Sequence, residues 1–184
     1  FRETLRKKSD VDTKYKKQSG GAGFYGVVTM KFEPTTEDSF FTEEVFGGAV
    51  PKNYFPAVEK GFFEALEKGP LAGYPVINVH ATLLDGKYHD VDSNELSFRM
   101  AAILAFKEAY QNCRPVLLEP IMKVRVVVAS QYLGDVISDV STRRGRISGM
   151  EGNDALQIVE AFIPEAEIIE YSMILSILRS WLLE

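Results

Sequence analysis

The amino-acid sequence predicts an α+β protein with two domains, and three observations lead to this fold class. Several segments alternate apolar and polar residues, which is the period of a strand with one buried face. Other segments repeat apolar residues every three or four positions, as amphipathic helices do. The pair Glu119-Pro120 separates two blocks of such segments. We therefore expect one domain at residues 1–118 and a second at residues 119–184, joined without a low-complexity linker.

The first block opens with a strand and a helix. Apolar and polar residues alternate from Val28 to Glu33, which predicts a strand. After an acidic and aromatic loop, Pro56 stands where the first turn of a helix is expected, and Gly69-Pro70 marks its end. The apolar stripe of this helix consists of Val58, Phe62 and Leu66.

A second strand is predicted from Val76 to Leu84, because the odd-numbered positions are apolar and His80 lies on the opposite, polar face. Asp85-Gly86 predicts the turn that ends it. We interpret His80 as a structural residue, since a histidine on a strand more often packs or hydrogen bonds than catalyses.

A second helix follows the segment KYHDVDSNE. Asp92 and Glu95 have the spacing of a capping box, in which two side chains satisfy free backbone N–H groups at a helix start. The helix has one stripe of mainly apolar residues, and we expect Ala101, Ala105 and Ala109 beside it to allow close packing. The predicted stripe consists of Leu96, Met100, Ile103 and Lys107.

The second block reads as strand, helix, strand, strand, helix, which is a split β-α-β unit without its final strand. The first strand carries Met122, Val124, Val126 and Val128 on one face. The helix after it has an apolar stripe and ends at Gly145, which we expect to adopt a left-handed conformation. Apolar runs at 146–150 and 156–163 predict two strands, and residues 165–184 predict a terminal helix.

Composition excludes several protein classes. No apolar stretch approaches the ~20 residues of a membrane span, so we expect no membrane partner. The single cysteine, Cys113, gives no sign of an oxidising compartment, which favours the cytoplasm. The chain begins with neither methionine nor an apolar signal core, and we expect it to be part of a longer protein.

Charge is distributed unevenly along the chain. The net charge is -5, yet residues 1–19 contain seven basic and three acidic residues. Such a basic segment is typical either of contact with a polyanion or of a solvated strand. Composition leaves both interpretations open.

The sequence contains none of the motifs that carry common enzymatic chemistry. A phosphate-binding GxxxxGK[ST] loop, HExxH, paired CxxC and GxSxG are all missing. His89, Asp90 and Asp92 share one loop, but three ligand types without a fourth converging group are weak evidence for a metal site. We therefore predict no catalytic residue and no metal site in this chain.

The stretch QSGGAGFYG, residues 18–26, contains four glycines among nine residues. Glycine loses the most conformational entropy on folding, so a loop this rich in it indicates close approach of another group to its backbone.

Long segments of the chain resemble, in order and spacing, the C-terminal part of bacterial elongation factor G. They include FRETLRKK, QSGGAGFYG, GPLAGYP, LLDGKYHDVDSNELSFRMAA, PVLLEPIMKVRV and GDVISDVSTRRGRISGME. The resemblance covers the chain up to about residue 163. It implies that residues 1–118 are a domain IV with a fold similar to ribosomal protein S5, and that residues 119–184 are an incomplete, ferredoxin-like domain V.

The resemblance also implies a function in translation. Members of the family bind the ribosome and couple GTP hydrolysis to translocation of transfer RNA and messenger RNA. GTP and magnesium would belong to N-terminal domains that this chain lacks, and this chain would need no cofactor. The implied partners are ribosomal RNA, transfer RNA and messenger RNA in the decoding region, and we expect a cytoplasmic, RNA-binding monomer.

Two tip loops of domain IV are matched by SGGAGFYG and KYHDVDS. Glycine backbone, aromatic faces and His89 suit contacts with phosphates and unpaired bases. In the second domain, Arg143 and Arg144 are expected either to contact RNA or to stabilise a helix C-terminus. The candidate RNA-binding residues are Gly20, Gly21, Ala22, Gly23, Phe24, Tyr25, Lys87, Tyr88, His89, Asp90, Arg143 and Arg144.

The chain departs from the family pattern at both ends. Family members usually carry Arg, Gln and His at the positions of Ala22, Phe24 and Val27, and EYSMILSILRSWLLE replaces the usual C-terminal segment. A divergent paralogue that protects or recycles ribosomes is therefore an alternative to a translocase. A small free-standing enzyme is a further alternative, which the missing catalytic motifs disfavour.

Overall fold

The computed structural model describes residues 1–18 and 20–168. The chain divides into two compact units, Phe1–Leu118 and Glu119–Glu184. Both contain helices and strands, which confirms the predicted α+β class. The elements of the first unit are β1 (Arg2–Thr4), β2 (Ser9–Lys17), β3 (Phe24–Pro34), β4 (Phe40–Glu43), α1 (Phe55–Leu66), β5 (Val79–Lys87), α2 (Glu95–Tyr110) and β6 (Val116–Leu118).

A four-stranded sheet in the order β2-β3-β5-β4 forms the centre of the first unit. Strands β2 and β5 flank β3 in antiparallel orientation, and β4 runs parallel to β5 at the edge. Strands β1 and β6 form a separate antiparallel pair. Strands β2 and β4 lie at opposite edges of the sheet, so their side chains are exposed on different sides of the first unit.

Both helices pack on one face of this sheet. The predicted alternation of β3 is confirmed, since Val28, Met30 and Phe32 are fully buried. Phe32 packs between one aromatic ring from each helix, with centroids 6.2 Å from Phe62 and 5.4 Å from Phe106. Helix α1 begins with proline in its first turn, as its sequence predicts.

The predicted close packing of α2 through its alanines is confirmed, since Ala101, Ala105 and Ala109 are buried, whereas Leu96 of the predicted stripe is 45% exposed. The buried face instead consists of Phe98, Phe106 and Tyr110 with the small residues between them. Close packing of α2 on α1 explains this choice. A Cβ added at Gly61 of α1 would lie 3.0 Å from the Cβ of Ala102, so only small side chains fit where the helices touch.

Strand β5 starts and ends later than its sequence predicts. Asn78 has a positive φ of 59° and interrupts the extended chain, so the strand begins at Val79. The predicted turn at Asp85-Gly86 is wrong, since both residues lie inside the strand and pair with β3. The register changes within this pairing, which leaves Leu84 as one extra residue in β5.

The carboxylate of Glu3 is fully buried and joins three segments of the first unit. It accepts backbone N–H groups of Leu71, Ala72 and Tyr74 at 3.2, 2.7 and 3.2 Å. The hydroxyl of Tyr110, at the end of α2, donates to the same carboxylate. Burial alone would raise the pKa of Glu3, but these four hydrogen bonds outweigh it, and the pKa lies below its ordinary value of 4.5.

The second unit is the predicted split β-α-β arrangement. Its sheet has the order β7-β9-β8, and β9 is antiparallel to both neighbours. Val126 and Val159 form a buried cluster against which Val124 and Val128 pack. This confirms the three valines of the predicted face of the first strand, whereas Met122 is 44% exposed. The elements are β7 (Ile121–Ala129), α3 (Leu133–Thr142), β8 (Arg146–Gly152) and β9 (Leu156–Pro164).

Helix α3 ends differently from its prediction. The left-handed residue is Arg144, with φ 56°, rather than Gly145. Gly145 donates its N–H to the carbonyl of Val140 at 2.9 Å. A Cβ at Gly145 would lie 2.7 Å from Cγ1 of Val140, so close packing rather than left-handed geometry requires glycine here. Residues 165–168 are helical, and the rest of the helix predicted at 165–184 lies outside the described residues.

The Glu3 hydrogen bonds predict a pH-dependent stability. Glu3→Gln keeps the size of the side chain but replaces an acceptor oxygen with a donor, which should lower the free energy of unfolding at neutral pH by roughly 1–3 kcal/mol. Because the folded pKa of Glu3 is depressed, its stabilisation is complete above pH 4.5 and is lost as the pH falls through the folded pKa.

Urea denaturation followed by circular dichroism, at neutral pH and below pH 4.5, measures this effect. Glu37→Gln, at an exposed position, is the matched control. Equal stability of the Glu3→Gln and Glu37→Gln variants at neutral pH would contradict the expectation.

Candidate nucleic-acid interface

The two loops that the sequence singles out lie side by side at one end of the four-stranded sheet. Residues 18–23 connect β2 to β3, and residues 88–94 connect β5 to α2. Lys17 pairs with Phe24, and Lys87 pairs with Val27, so the end of β2, the start of β3 and the end of β5 are neighbours. We call these two segments the tip loops.

Three hydrogen bonds connect the second tip loop to the first tip loop and to the start of β3. The side-chain Oδ1 of Asp92 accepts the N–H of Gly23 at 2.9 Å, and the backbone carbonyl of Asp92 accepts the N–H of Tyr25 at 2.9 Å. The hydroxyl of Ser93 donates to the carbonyl of Tyr25 at 2.7 Å. The tip loops therefore form one hydrogen-bonded unit although they are distant in sequence.

The predicted capping box of Asp92 and Glu95 is wrong. Helix α2 is capped by Asn94, whose Oδ1 accepts the N–H of Ser97 at 2.9 Å. Three consecutive residues, Asp92, Ser93 and Asn94, have side chains suited to a helix cap. The last of them takes this role because it directly precedes the helix, which leaves Asp92 and Ser93 available for the neighbouring loop.

The glycines of the first tip loop serve two different needs. Gly20 has a positive φ of 52°, which side chains rarely tolerate. Gly23 is buried, and a Cβ there would lie 3.2 Å from Cγ of Asp92. The close approach that the glycine content predicts is therefore made, at least at Gly23, by the second tip loop itself. Gly21 and Ala22 are exposed.

His89 organises the second tip loop and also presents its ring to solvent. Its Nδ1 accepts the N–H groups of Val91 and Asp92, each at 3.2 Å, and its own N–H donates to Oγ of Ser93 at 2.8 Å. Since Nδ1 is an acceptor, the proton of the neutral ring is on Nε2. The side chain is 55% exposed, so Nε2–H is a donor that a ligand can reach.

Aromatic and basic groups surround this junction. The ammonium of Lys14 lies 5.4 Å from the ring centroid of Tyr25, which gives a cation–π contact, and the edge of His89 approaches the same ring at 6.2 Å. Tyr25 is therefore already engaged, whereas Tyr88 is 46% exposed. Lys87 and Asp90 are exposed beside it.

A small cavity opens between the tip loops. Its volume is about 190 Å³, and its lining combines amino, aromatic, imidazole and carboxylate groups. The lining residues are Lys16, Lys17, Gln18, Gly23, Phe24, Tyr25, His89 and Asp92. In the sequence, Lys16 and Lys17 stand out only as part of a basic run, and the strand pairing is what brings them to the tip.

The two candidate RNA-binding arginines of the second unit, Arg143 and Arg144, are engaged in structural contacts. Arg143 is buried. It donates from Nε to the carboxylate of Asp139 at 3.0 Å and from Nη1 to the carbonyl of Glu167 at 3.0 Å. Arg144 is exposed and forms a bidentate ion pair with Glu119, in which Nη1 and Nη2 lie 2.8 and 3.2 Å from the carboxylate oxygens. The pairs with Glu119 and then Glu167 raise the pKa of Arg144. These contacts favour the structural interpretation of both arginines, and RNA contact stays a prediction.

His80 and Cys113 have structural surroundings. Nε2 of His80 lies 2.7 Å from Oγ1 of Thr42, Nδ1 lies 3.2 Å from Glu33, and the ring stacks on Phe40 at 4.2 Å. Burial raises the pKa of the Cys113 thiol to about 11, which disfavours the reactive thiolate.

Residues 1–18 and 20–168 contain neither a metal-binding cluster nor a membrane-spanning helix. No three side chains among histidine, cysteine, aspartate and glutamate gather into a group that could hold a metal ion in this part of the chain. No helix within it has the length and apolar character needed to cross a bilayer.

Comparison with known proteins gives consistent matches to one family. Residues 1–114 match the family described as elongation factor G, domain IV, and residues 116–178 match elongation factor G C-terminus. Elongation factor G of Mycoplasma pneumoniae and that of Mycoplasma genitalium are each 49% identical to this chain over 173 residues, which is 94% of this chain and 25% of each relative.

A crystal structure of a protein from Thermus thermophilus has a similar fold, with a TM-score of 0.85 and 46% identity. The match covers 92% of this chain and 26% of that one. The chain thus spans about a quarter of the length of the proteins that it matches.

The bond between Asp92 and Gly23 predicts a local loss of order when the carboxylate is removed. Asp92→Ala leaves the N–H of Gly23 without its acceptor, at a cost of about 1 kcal/mol. Amide exchange measured by NMR should become several-fold faster at Gly23 and at Tyr25. Asp92→Asn keeps an acceptor oxygen and should retain most of the protection.

Asn94→Ala is a second control, because it removes the helix cap without touching Gly23. We expect it to destabilise α2 by about 1 kcal/mol while Gly23 stays protected. Unchanged exchange at Gly23 in Asp92→Ala would show that this hydrogen bond does not hold the loops together.

Proposed function

This chain belongs to the elongation factor G family, and we propose that it is the ribosome-binding C-terminal part of a translational GTPase. Its first unit would insert the tip loops into the decoding region of the ribosome and promote movement of transfer RNA and messenger RNA. GTP binding and hydrolysis would be carried out by other domains of the parent protein. The second unit would contact ribosomal RNA.

The observation that carries this proposal is the joining of the tip loops into one unit at the end of a sheet. Three hydrogen bonds connect Asp92 and Ser93 to Gly23 and Tyr25. Behind the tip, two helices with fully buried aromatic residues cover the sheet. An element that occupies space and resists backward movement of an RNA must not fold back under load. This arrangement supports such a role.

The exposed groups of the tip suit contacts with RNA. Amino groups of Lys14, Lys16 and Lys17 extend along one edge of the sheet and would attract phosphates. The Nε2–H of His89 would donate to a phosphate, a ribose hydroxyl or a base edge. The ring of Tyr88, which is 46% exposed, would stack on an unpaired base.

A second candidate function is ribosome protection or recycling by a divergent paralogue. It is favoured by Ala22, which is exposed in the first tip loop at a position where the family resemblance implies an arginine. Without that cation the tip attracts phosphates less strongly, and a factor that only displaces a ligand or a subunit would need less contact with moving RNA. The two candidates differ in whether the tip drives translocation.

A substitution of His89 in the full-length parent factor tests the proposed function. His89→Ala removes one donor at the tip, and loss of such a hydrogen bond costs about 1 kcal/mol, so movement of transfer RNA should slow roughly fivefold. Ribosome-stimulated GTP hydrolysis should remain nearly unchanged, because the tip would act after docking. Rapid-kinetic measurements of both steps on the same ribosomes give the comparison.

His89→Asn is the matched control, because its side-chain oxygen can still accept the N–H groups of Val91 and Asp92. If the imidazole itself contacts RNA, both variants slow translocation. Equal losses in translocation and in GTP hydrolysis would contradict a role confined to the tip.

Ala22→Arg separates the translocase from the paralogue. Ala22 is exposed, so arginine fits without disturbing the fold. In a translocase, a new phosphate contact should speed translocation at low salt, with Ala22→Gln as the uncharged control of similar length. No difference between these two variants would favour protection or recycling.

A further inference from the structure

Phe46 is the most exposed large apolar side chain among the described residues, with 92% of its surface in contact with solvent. Burying a phenylalanine is favourable by roughly 1.5–3 kcal/mol, so leaving one in water forgoes that stabilisation. The phenyl rings of Phe32, Phe62, Phe98 and Phe106 are fully buried, and even the exposed Phe63 is only 41% exposed. Phe46 is therefore far more exposed than the other phenylalanines of its domain.

The loop that carries Phe46 is held in place at both ends. Glu44 donates its N–H to the carbonyl of Leu83 at 2.8 Å, and Val50 is buried, with 1% exposure. Between these anchors, Gly47 and Gly48 have φ values of 65° and 71°. Side chains rarely adopt this conformation, and it turns the chain tightly after Phe46. The ring is displayed by an ordered turn.

This loop lies at the same end of the sheet as the tip loops. Strand β4 runs parallel to β5, and the chain leaves both strands in the same direction. A Cβ at Gly86 of β5 would lie 2.5 Å from Cγ2 of Val50, and the hydroxyl of Tyr54 donates to the carbonyl of Ser93 at 3.1 Å.

At this end, the two edges of the sheet carry opposite charge, because of the order of the strands. Edge strand β2 brings Lys14, Lys16 and Lys17 to one side, and edge strand β4 brings Glu43 and Glu44 to the other. Between Lys31 and Lys52 the chain has five acidic residues and no basic one. A phosphate backbone would be repelled from the β4 edge. A surface rich in lysine and arginine would be attracted to it.

We propose that the loop from Glu43 to Val50 is a docking site for a basic protein, which accepts Phe46 in an apolar pocket bordered by lysine or arginine. An exposed aromatic ring with acidic neighbours has the composition of an interface anchor for such a surface. The inference rests on the proposed function, since the partner would be a basic protein component of the ribosome. RNA would contact the opposite, β2 edge.

Photo-crosslinking in the full-length factor tests which class of molecule meets this loop. Phe46→benzoylphenylalanine places a photoreactive ring at the site, and Phe63→benzoylphenylalanine, at a 41% exposed position on α1, is the matched control. On purified ribosomes, the variant at position 46 should give a protease-sensitive adduct with a basic protein. A nuclease-sensitive adduct, or no more adduct than the control gives, would overturn the proposal.

Affinity measurements supply a second readout. Phe46→Ser should weaken binding of the factor to purified ribosomes about tenfold, as loss of an interface anchor does, while its melting temperature stays unchanged. Phe63→Ser should leave binding unchanged. The double variant Glu43→Gln and Glu44→Gln should weaken binding at low salt and less at high salt.

The outcomes separate this inference from the function on which it rests. If the factor binds ribosomes and Phe46→Ser binds as tightly as the unmodified protein, the docking site is wrong and the proposed function stands. If the unmodified factor does not bind ribosomes at all, both are wrong.

Discussion

The first unit depends on one buried carboxylate. Glu3 lies on a strand of only three residues, yet its side chain binds the turn after α1 and the last residue of α2. A charge removed from water is tolerated only when hydrogen bonds replace its hydration, and four donors do so here. The two helices that cover the sheet are thereby fixed at the end opposite their connection to the tip.

Apolar packing stabilises the body of the first unit, whereas polar contacts stabilise its tip. The body of the sheet is held by phenylalanine rings and by close helix contact over alanine and glycine, which leaves little freedom of movement. The tip has almost no apolar content and is held by hydrogen bonds between two loops. A surface made in this way can expose His89 and Tyr88 to a ligand and still keep its shape. Rigidity at the core and polarity at the tip are therefore complementary.

Much of the fold could be predicted from the sequence, because β3, α1 and the split β-α-β order have strong local periodicity. The errors arise where packing and hydrogen-bond partners, rather than local periodicity, decide the structure. Leu96, on the predicted stripe of α2, is exposed because the alanines beside that stripe are the residues that pack closely. Gly145 is not left-handed, and its neighbour Val140 dictates its identity instead. At the candidate site, resemblance identifies both tip loops, but no local pattern indicates that Asp92 reaches a glycine 69 residues away.

The extra residue in β5 determines to which side of the sheet the side chains that follow it point, including those of the second tip loop. Val28 faces the helices and pairs with Gly86, while Leu83, on the other side of the irregularity, is also buried. If Leu84 were paired regularly instead of bulging, strict alternation from the buried Leu83 would turn the carboxylate of Asp85 into the core and rotate every later residue by half a turn. The direction in which the side chain of His89 points is therefore set several residues earlier in the chain, by the extra residue in β5. The orientation of the tip residues therefore depends on the number of residues in this strand as well as on their types.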